Sequence, residues 1–419
     1  MHGQAQLLAT KCVKHKSHSK NNNCQKKLIK LFSPNYLKHN RAMKPTLLLL
    51  LMMMICFFSL AQSGMNTSKI YNLLVGTYTV AGKSQGIYVY SFNTETGEFS
   101  YKAEAGSINN PSFFAITEDN KNIYSVSEDA GGTISAFSFD AKTGKLVFVN
   151  SVSSGGSDPC YVSIDSKNKF VFAGNYSGGS VSAIPINPDR SLSANIQTFQ
   201  HEGSGALSNQ EKAHVHAAVL SKDDRYLFVP DLGTDKVNIY SVDISKPKPL
   251  AAAELAFVSV AAGGGPRHFT FHPTEKYAYL IQEMSGIVTV YDYADGKLKE
   301  KQTVSMPPVG FTGKIDAADI HVSPDGKFLY GSMRGDLNEL GIYAIDQVGN
   351  LTFAGRQSTL GKTPRNFSID PTGNFLLVAN QNSDEIILFK RDKKTGLLTA
   401  TGKKISVGKP VCLKFAPMK

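Results

Sequence analysis

The sequence predicts an all-β fold: a seven-bladed β-propeller with four antiparallel strands per blade, its ring closed by N- and C-terminal strands sharing one blade. Three observations predict it. A unit of 46 to 56 residues recurs along the chain, anchored on turns at Glu118, Ser166, Lys222, Pro273, Pro324, Pro371 and Pro417. Apolar and polar residues alternate with period two on both sides of each turn, and no useful stretch has helical periodicity. The seventh unit stops just after Pro417, while strand-like runs with no preceding anchor stand near the N-terminus. A two-sheet sandwich array is the rival architecture; the repeat period favours the ring.

Taken in order, the chain begins with a segment that distorts its composition. Residues 1–44 hold ten Lys or Arg and no Asp or Glu, so nearly all of the net charge of +11 is local. A basic chain ordinarily suggests nucleic acid or an anionic membrane as partner. With the charge confined to the leader, neither is expected. Residues 1–42 read as a basic leader outside the mature protein. Residues 43–61 read as a signal peptide: Lys44 supplies the positive flank, Leu47 to Leu60 the apolar run, and Ser59-Leu60-Ala61 the cleavage site. That apolar run is shorter than the roughly 20 residues a membrane-spanning helix needs, so no stable span is expected after cleavage. The mature chain, 62–419, is then one exported domain, periplasmic or extracellular. Cys12, Cys24 and Cys56 leave with the leader. Cys160 and Cys412 fall in corresponding strands of different repeats and read as small buried residues rather than a disulfide.

The first strands after the leader are Tyr71 to Gly76 and Gly86 to Tyr90, which would complete the seventh blade. Closure of this kind removes the open sheet edge that a linear array would present. Each following unit has an inner alternation such as Phe113-Phe114-Ala115-Ile116 and, after the turn, a second strand such as Ile123 to Val126. Two outer strands follow, as in Ser135 to Phe139 and Lys145 to Val149, joined by the hairpin turn Asp140-Ala141-Lys142-Thr143-Gly144. The stretch Gly263 to Gly286 holds one full copy of the inner pair. It puts Arg267 at the start of one strand and Glu283 at the end of its partner, which are neighbouring ends in an antiparallel pair. The chain has no Trp, which excludes the Trp-Asp blade signature of interaction scaffolds.

One position per blade should face the central channel. Counting back from each anchor gives Ser112, Cys160, His216, Arg267, Ala318, Arg365 and Val411. A second ring at the ends of the next strands holds Glu128, Asn175, Asp231, Glu283, Arg334 and Asn380. Buried charges need partners or a ligand, so these rings are either structural salt bridges or a site. His214-Val215-His216 read as a strand puts both imidazoles on one face, a weak metal pattern needing a third ligand such as Asp231 or Asp316. Gly263-Gly264-Gly265 lacks the strand-to-helix setting of a nucleotide loop. No Gly-x-Ser-x-Gly elbow occurs, which disfavours acyl transfer through a serine.

These residues resemble the seven-bladed propeller lactonases of the 6-phosphogluconolactonase type, a family similar to the fungal 3-carboxy-cis,cis-muconate lactonizing enzymes. The resemblance rests on Leu74 to Tyr78, His214-Val215-His216, Pro230 to Asp235, Gly265-Pro266-Arg267-His268, Phe271-His272-Pro273, Val322 to Tyr330, Thr363 to Phe367 and Asp370 to Gln381. It implies hydrolysis of a sugar-acid lactone without a metal or other cofactor. It also implies a site of Glu283, His216, Arg267 and Arg334. The chemistry of lactone opening then assigns Glu283 as base, Arg267 and Arg334 as oxyanion holders and His216 as proton donor, the expected catalytic set. His214, Asp231, His268 and Arg365 are the expected substrate-binding residues. The family's Ser-Asn-Arg is Ser332-Met333-Arg334 here, which would remove one amide contact to substrate. An exported propeller that only binds a sugar acid or a protein partner is the alternative, and a metal-dependent lactonase a third reading. Oligomeric state is not legible.

Overall fold

The computed structural model describes residues 69–418 apart from Ala81, Ser107 and Asn195. The expected leader, signal peptide and start of the mature chain, within residues 1–68, lie outside the described residues. Those residues form 28 strands, numbered β1 to β28 in chain order, and no α-helix. They pair into seven four-stranded antiparallel sheets, the seven blades of a propeller. The closing sheet runs β28 (Pro410–Pro417), β1 (Ile70–Thr77), β2 (Ile87–Asn93), β3 (Phe99–Ala105). The C-terminus therefore supplies the innermost strand and the N-terminal segment the other three, with Leu74 opposite Lys414 and Leu73 opposite Phe415.

The repeat has a backbone signature. The residue two positions after each of the first six anchors takes a left-handed conformation: Asn120, Asn168, Asp224, Glu275, Gly326 and Gly373, with φ between 53° and 71°. Asn, Asp and Gly are the residues that tolerate this region, and Glu275 is the exception. Its carboxylate accepts a hydrogen bond from Lys222 N of the neighbouring unit at 2.8 Å, a local partner for the strained turn.

Apolar faces of adjacent blades form the core. Phe228 on β13 (Tyr226–Asp231) stacks on Phe269 of β16 (Pro266–Phe271), centroids 5.2 Å apart. Such a pair adds about 0.5–1.5 kcal/mol beyond its buried area. Cys160 and Cys412 are both free and buried.

The innermost strands are not regular. β8 (Pro159–Ile164), β16, β20 (Ala317–Val322), β24 (Pro364–Ile369) and β28 each carry a register shift near their start. The residues skipped by the ladder there are Cys160, Arg267, Ala318 with Asp319, Arg365, and Val411. A bulge leaves one residue outside the ladder and re-aims its side chain. Here the bulged residues, Asp319 apart, are five of the seven positions that the repeat count assigns to the channel. In the blade of His216 the irregularity goes further. His214-Val215-His216 is not a strand: Val215 makes an isolated bridge to Asp231, and β12 is only Val219–Leu220.

Candidate active site

The bulges converge on a small cavity lined by Ser112, Cys160, His216, Arg267, Arg365 and Val411 from the predicted ring, together with Phe113, His268 and Asn366. The seventh ring position, Ala318, contributes its carbonyl, which accepts from Arg267 Nη1 at 2.6 Å.

Glu283 follows β17 (Tyr277–Gln282), and its backbone N–H donates to Gly265 O at 2.7 Å across the turn that leads into Arg267. Its Oε2 accepts from Arg267 Nε at 2.8 Å and lies 2.9 Å from Arg334 Nη2 and 3.9 Å from His216 Nε2. Arg334 Nη2 also meets Asp316 at 2.5 Å and Ala317 O at 3.1 Å. Burial alone would raise the Glu283 carboxyl, but Arg334, Arg267 and Arg365 outweigh it and hold the group below the usual range. Burial pushes Asp316 up, with Arg334 opposing. Burial, joined by Arg334 and Arg365, pulls Arg267 down to about 10, so it stays charged at neutral pH. Burial also drives His216 well below the ordinary imidazole value, helped by Arg267, His268 and Arg365. His216 is therefore neutral at neutral pH.

On the opposite wall Arg365 makes no side-chain hydrogen bond with the described residues. Glu128 stands 3.6 Å from its Nη2, and the guanidinium lies over the Tyr78 ring at 5.5 Å. Glu128 is taken up by Tyr78, whose hydroxyl donates at 2.7 Å, and by Ser112. Arg365 thus offers nearly its whole fork of donors to whatever enters, the arrangement that suits an anion or a polarised oxygen.

The other expected residues part company here. His268 lines the cavity and meets the His216 ring edge to face at 5.5 Å. His214 stacks on Tyr176 at 4.6 Å and reaches Glu211 at 3.2 Å, outside the cavity lining. Asp231 is turned away altogether. Its carboxylate accepts from His214 N and Gly233 N and pairs with His201 Nδ1 at 2.9 Å, so it braces the loop that carries the two histidines. Met333 is also remote from the cavity. It is fully buried in an apolar cluster with Tyr279, Ile281 and Met306, so the missing amide leaves the lining unchanged. Sequence reasoning overlooked Tyr78 and Tyr176, although each directly follows the second strand of its blade as Glu128, Glu283 and Arg334 do; the count had taken Asn175, one residue early, in place of Tyr176. Glu128 stands in the second ring by count, but its pairing to Tyr78 left no trace in the spacing. Among the described residues no three His, Cys, Asp or Glu come together as a metal site would require.

The family model described as "Lactonase, 7-bladed beta-propeller" matches residues 72–415. The chain is a member of this lactonase family. A 6-phosphogluconolactonase of Bacillus subtilis is 39% identical over 345 residues, 81% of this chain and 97% of that one. A 6-phosphogluconolactonase of Formosa agariphila is 38% identical over 78% of this chain and 94% of its own length. Among solved structures, the periplasmic gluconolactonase of Pseudomonas aeruginosa superposes with a TM-score of 0.80 at 38% identity, covering 84% of this lactonase and all of that protein. Glu283, Arg267 and Arg334 thus form a linked trio, and Arg267 joins it to the cavity that His216 and Arg365 also line, whereas Glu283 and Arg334 stand beside that lining.

Proposed function

We propose that this chain hydrolyses an aldonolactone, 6-phosphogluconolactone or a close relative, at the mouth of its central channel. The observation that carries the reading is the state of Glu283. Its Oε2 is pinned by two guanidinium groups, while Oε1 has no hydrogen-bond partner among the described residues. An ionised carboxylate with one fixed and one open oxygen is suited to take a proton from an attacking water. The unbonded N–H groups of Arg267 and Arg334 face charge that develops on the lactone carbonyl oxygen, and Arg365 grips a phosphate, carboxylate or hydroxyl of the substrate. His216, being neutral, suits accepting a hydrogen bond from water or a sugar hydroxyl better than the donor's part expected of it. Sugar lactones open without catalysis at an appreciable rate, so the site supplies only a modest share of the usual ~8–23 kcal/mol of barrier lowering.

Titration of acid release at constant pH, with glucono-lactone and its 6-phosphate as substrates, tests this. Turnover of at least one above the uncatalysed rate is expected, and background rates with both would overturn the reading. The similarity to a periplasmic relative supports export, with residues 43–61 removed and the 62–419 domain acting outside the cytoplasm. N-terminal sequencing of the exported chain should then begin near Gln62; an intact start at Met43 would refute it.

A further inference from the structure

Lactone hydrolysis at neutral pH yields a carboxylate and a hydroxyl, so the two protons of the attacking water take different routes. One is lost to solvent, and Glu283 is placed to take it. The other must reach the ring oxygen as its bond to the carbonyl carbon breaks. His216 is poorly built for that delivery: its Nδ1 faces the Cys160 sulfur at 3.6 Å, with no carboxylate behind the ring.

His268 is built differently. Its Nδ1 lies 2.8 Å from Asp319 Oδ1, so the ring donates there and Nε2 is left as a lone pair with no hydrogen bond from the described residues. Asp319 is 2% exposed and is fixed by three blades. It accepts from Asn366 Nδ2 at 2.5 Å, Phe367 N at 3.2 Å and Ile320 N at 3.0 Å, and pairs with His321 Nε2 at 2.9 Å. We propose that His268 is a catalytic residue of the lactonase and Asp319 its positioning residue. His268 Nε2 takes the remaining proton from the hydroxyl of the tetrahedral adduct and hands it to the departing ring oxygen. The water–carbon bond has by then formed, the carbon–ring-oxygen bond breaks, and the imidazolium exists only between the two transfers, facing Asp319. This assignment rests on the lactonase reading above.

The groups facing His268 fit the role. Arg267, His216, Tyr161 and His321 surround it together with Asp319. Burial and Arg267 bring its pKa to about 4 against the pull of Asp319, so the acceptor lone pair is available at neutral pH.

Histidine nitrogen NMR of the wild-type protein, with resonances assigned by through-bond correlation, should show His268 protonated at Nδ1; protonation at Nε2 would overturn the assignment. His268→Gln should lower kcat by ~100-fold or more, within the range for a general acid–base residue, with KM changed less than about threefold. Asp319→Asn should lower kcat in the same way and move the His268 proton to Nε2, a change that loss of a merely structural brace would not produce. Wild-type turnover with His268→Gln retaining a folded state and full kcat sinks the proposal alone. Wild-type protein with no turnover of either lactone sinks it together with the function it rests on.

Discussion

Glu283 owes its charge to its neighbours, and this sets what substitution and pH should do. Glu283→Gln keeps the shape but removes the base, so kcat should fall ~10²–10⁴-fold, with the far-ultraviolet circular dichroism unchanged. Because the folded carboxyl is held below its ordinary value, kcat/KM should stay level from pH 7 to 5. It should decline only below the unperturbed glutamate value of about 4.3, as pH-rate profiles would record. The stability sign is the same. The ion pairs of Glu283 stabilise the fold above the unfolded-state pKa, and that contribution is lost as pH falls through the depressed folded value. Arg365 stands apart because its fork is unbonded. Arg365→Met should raise KM about 10–100-fold, matching the ~1.5–3 kcal/mol of a hydrogen bond to a charged group, with a smaller change in kcat. That outcome is read from initial-rate kinetics on the preferred lactone.

At the level of the strand, the bulge explains both what the sequence revealed and what it hid. Arg267 and Glu283 were legible as neighbours because antiparallel pairing follows from alternation and turn residues alone. Counting residues also located the channel ring, since the bulge recurs at one place in the repeat. The bulge itself was not legible: one extra residue in an alternating run looks like ordinary variation. For the same reason His214 and His216 read as a strand, whereas the chain there is held by hydrogen bonds to Asp231 and Pro230. Asp231 was expected at the ligand because the count ran one residue short there: Leu232 is the counterpart of Glu283, and one step along a strand turns the side chain to the other face, where backbone amides claim the carboxylate. Gly265 shows how tightly the bulge is set. Its φ is +66°, and a Cβ there would come within 2.5 Å of Met284 Cε. Gly265→Ala should cost about 1–2 kcal/mol for the left-handed backbone and shift Arg267. The expected result is a lower Tm in calorimetry together with reduced kcat.

Across the whole molecule, seven sheets share one axis, and the ring is locked where β28 pairs with β1 over seven residue pairs. This was the most legible feature, because a truncated last repeat and unmatched leading strands can be satisfied together only by closure. Removing residues 410–419 strips the inner strand from that blade, exposes the β1 edge and deletes Val411 from the cavity wall. The truncated chain should lose its cooperative thermal transition and aggregate in size-exclusion chromatography, whereas an open ring that still folds would melt cooperatively. Because the axial side chains stand outside the ladder, what holds the blades together and what meets a ligand are separable. An exchange at Val411 or Ala318 alters the chemistry offered at the axis while every interstrand bond survives. A scaffold arranged in this way leaves selection free to retune ligand preference through a handful of inward seats, with the machinery of folding under separate control.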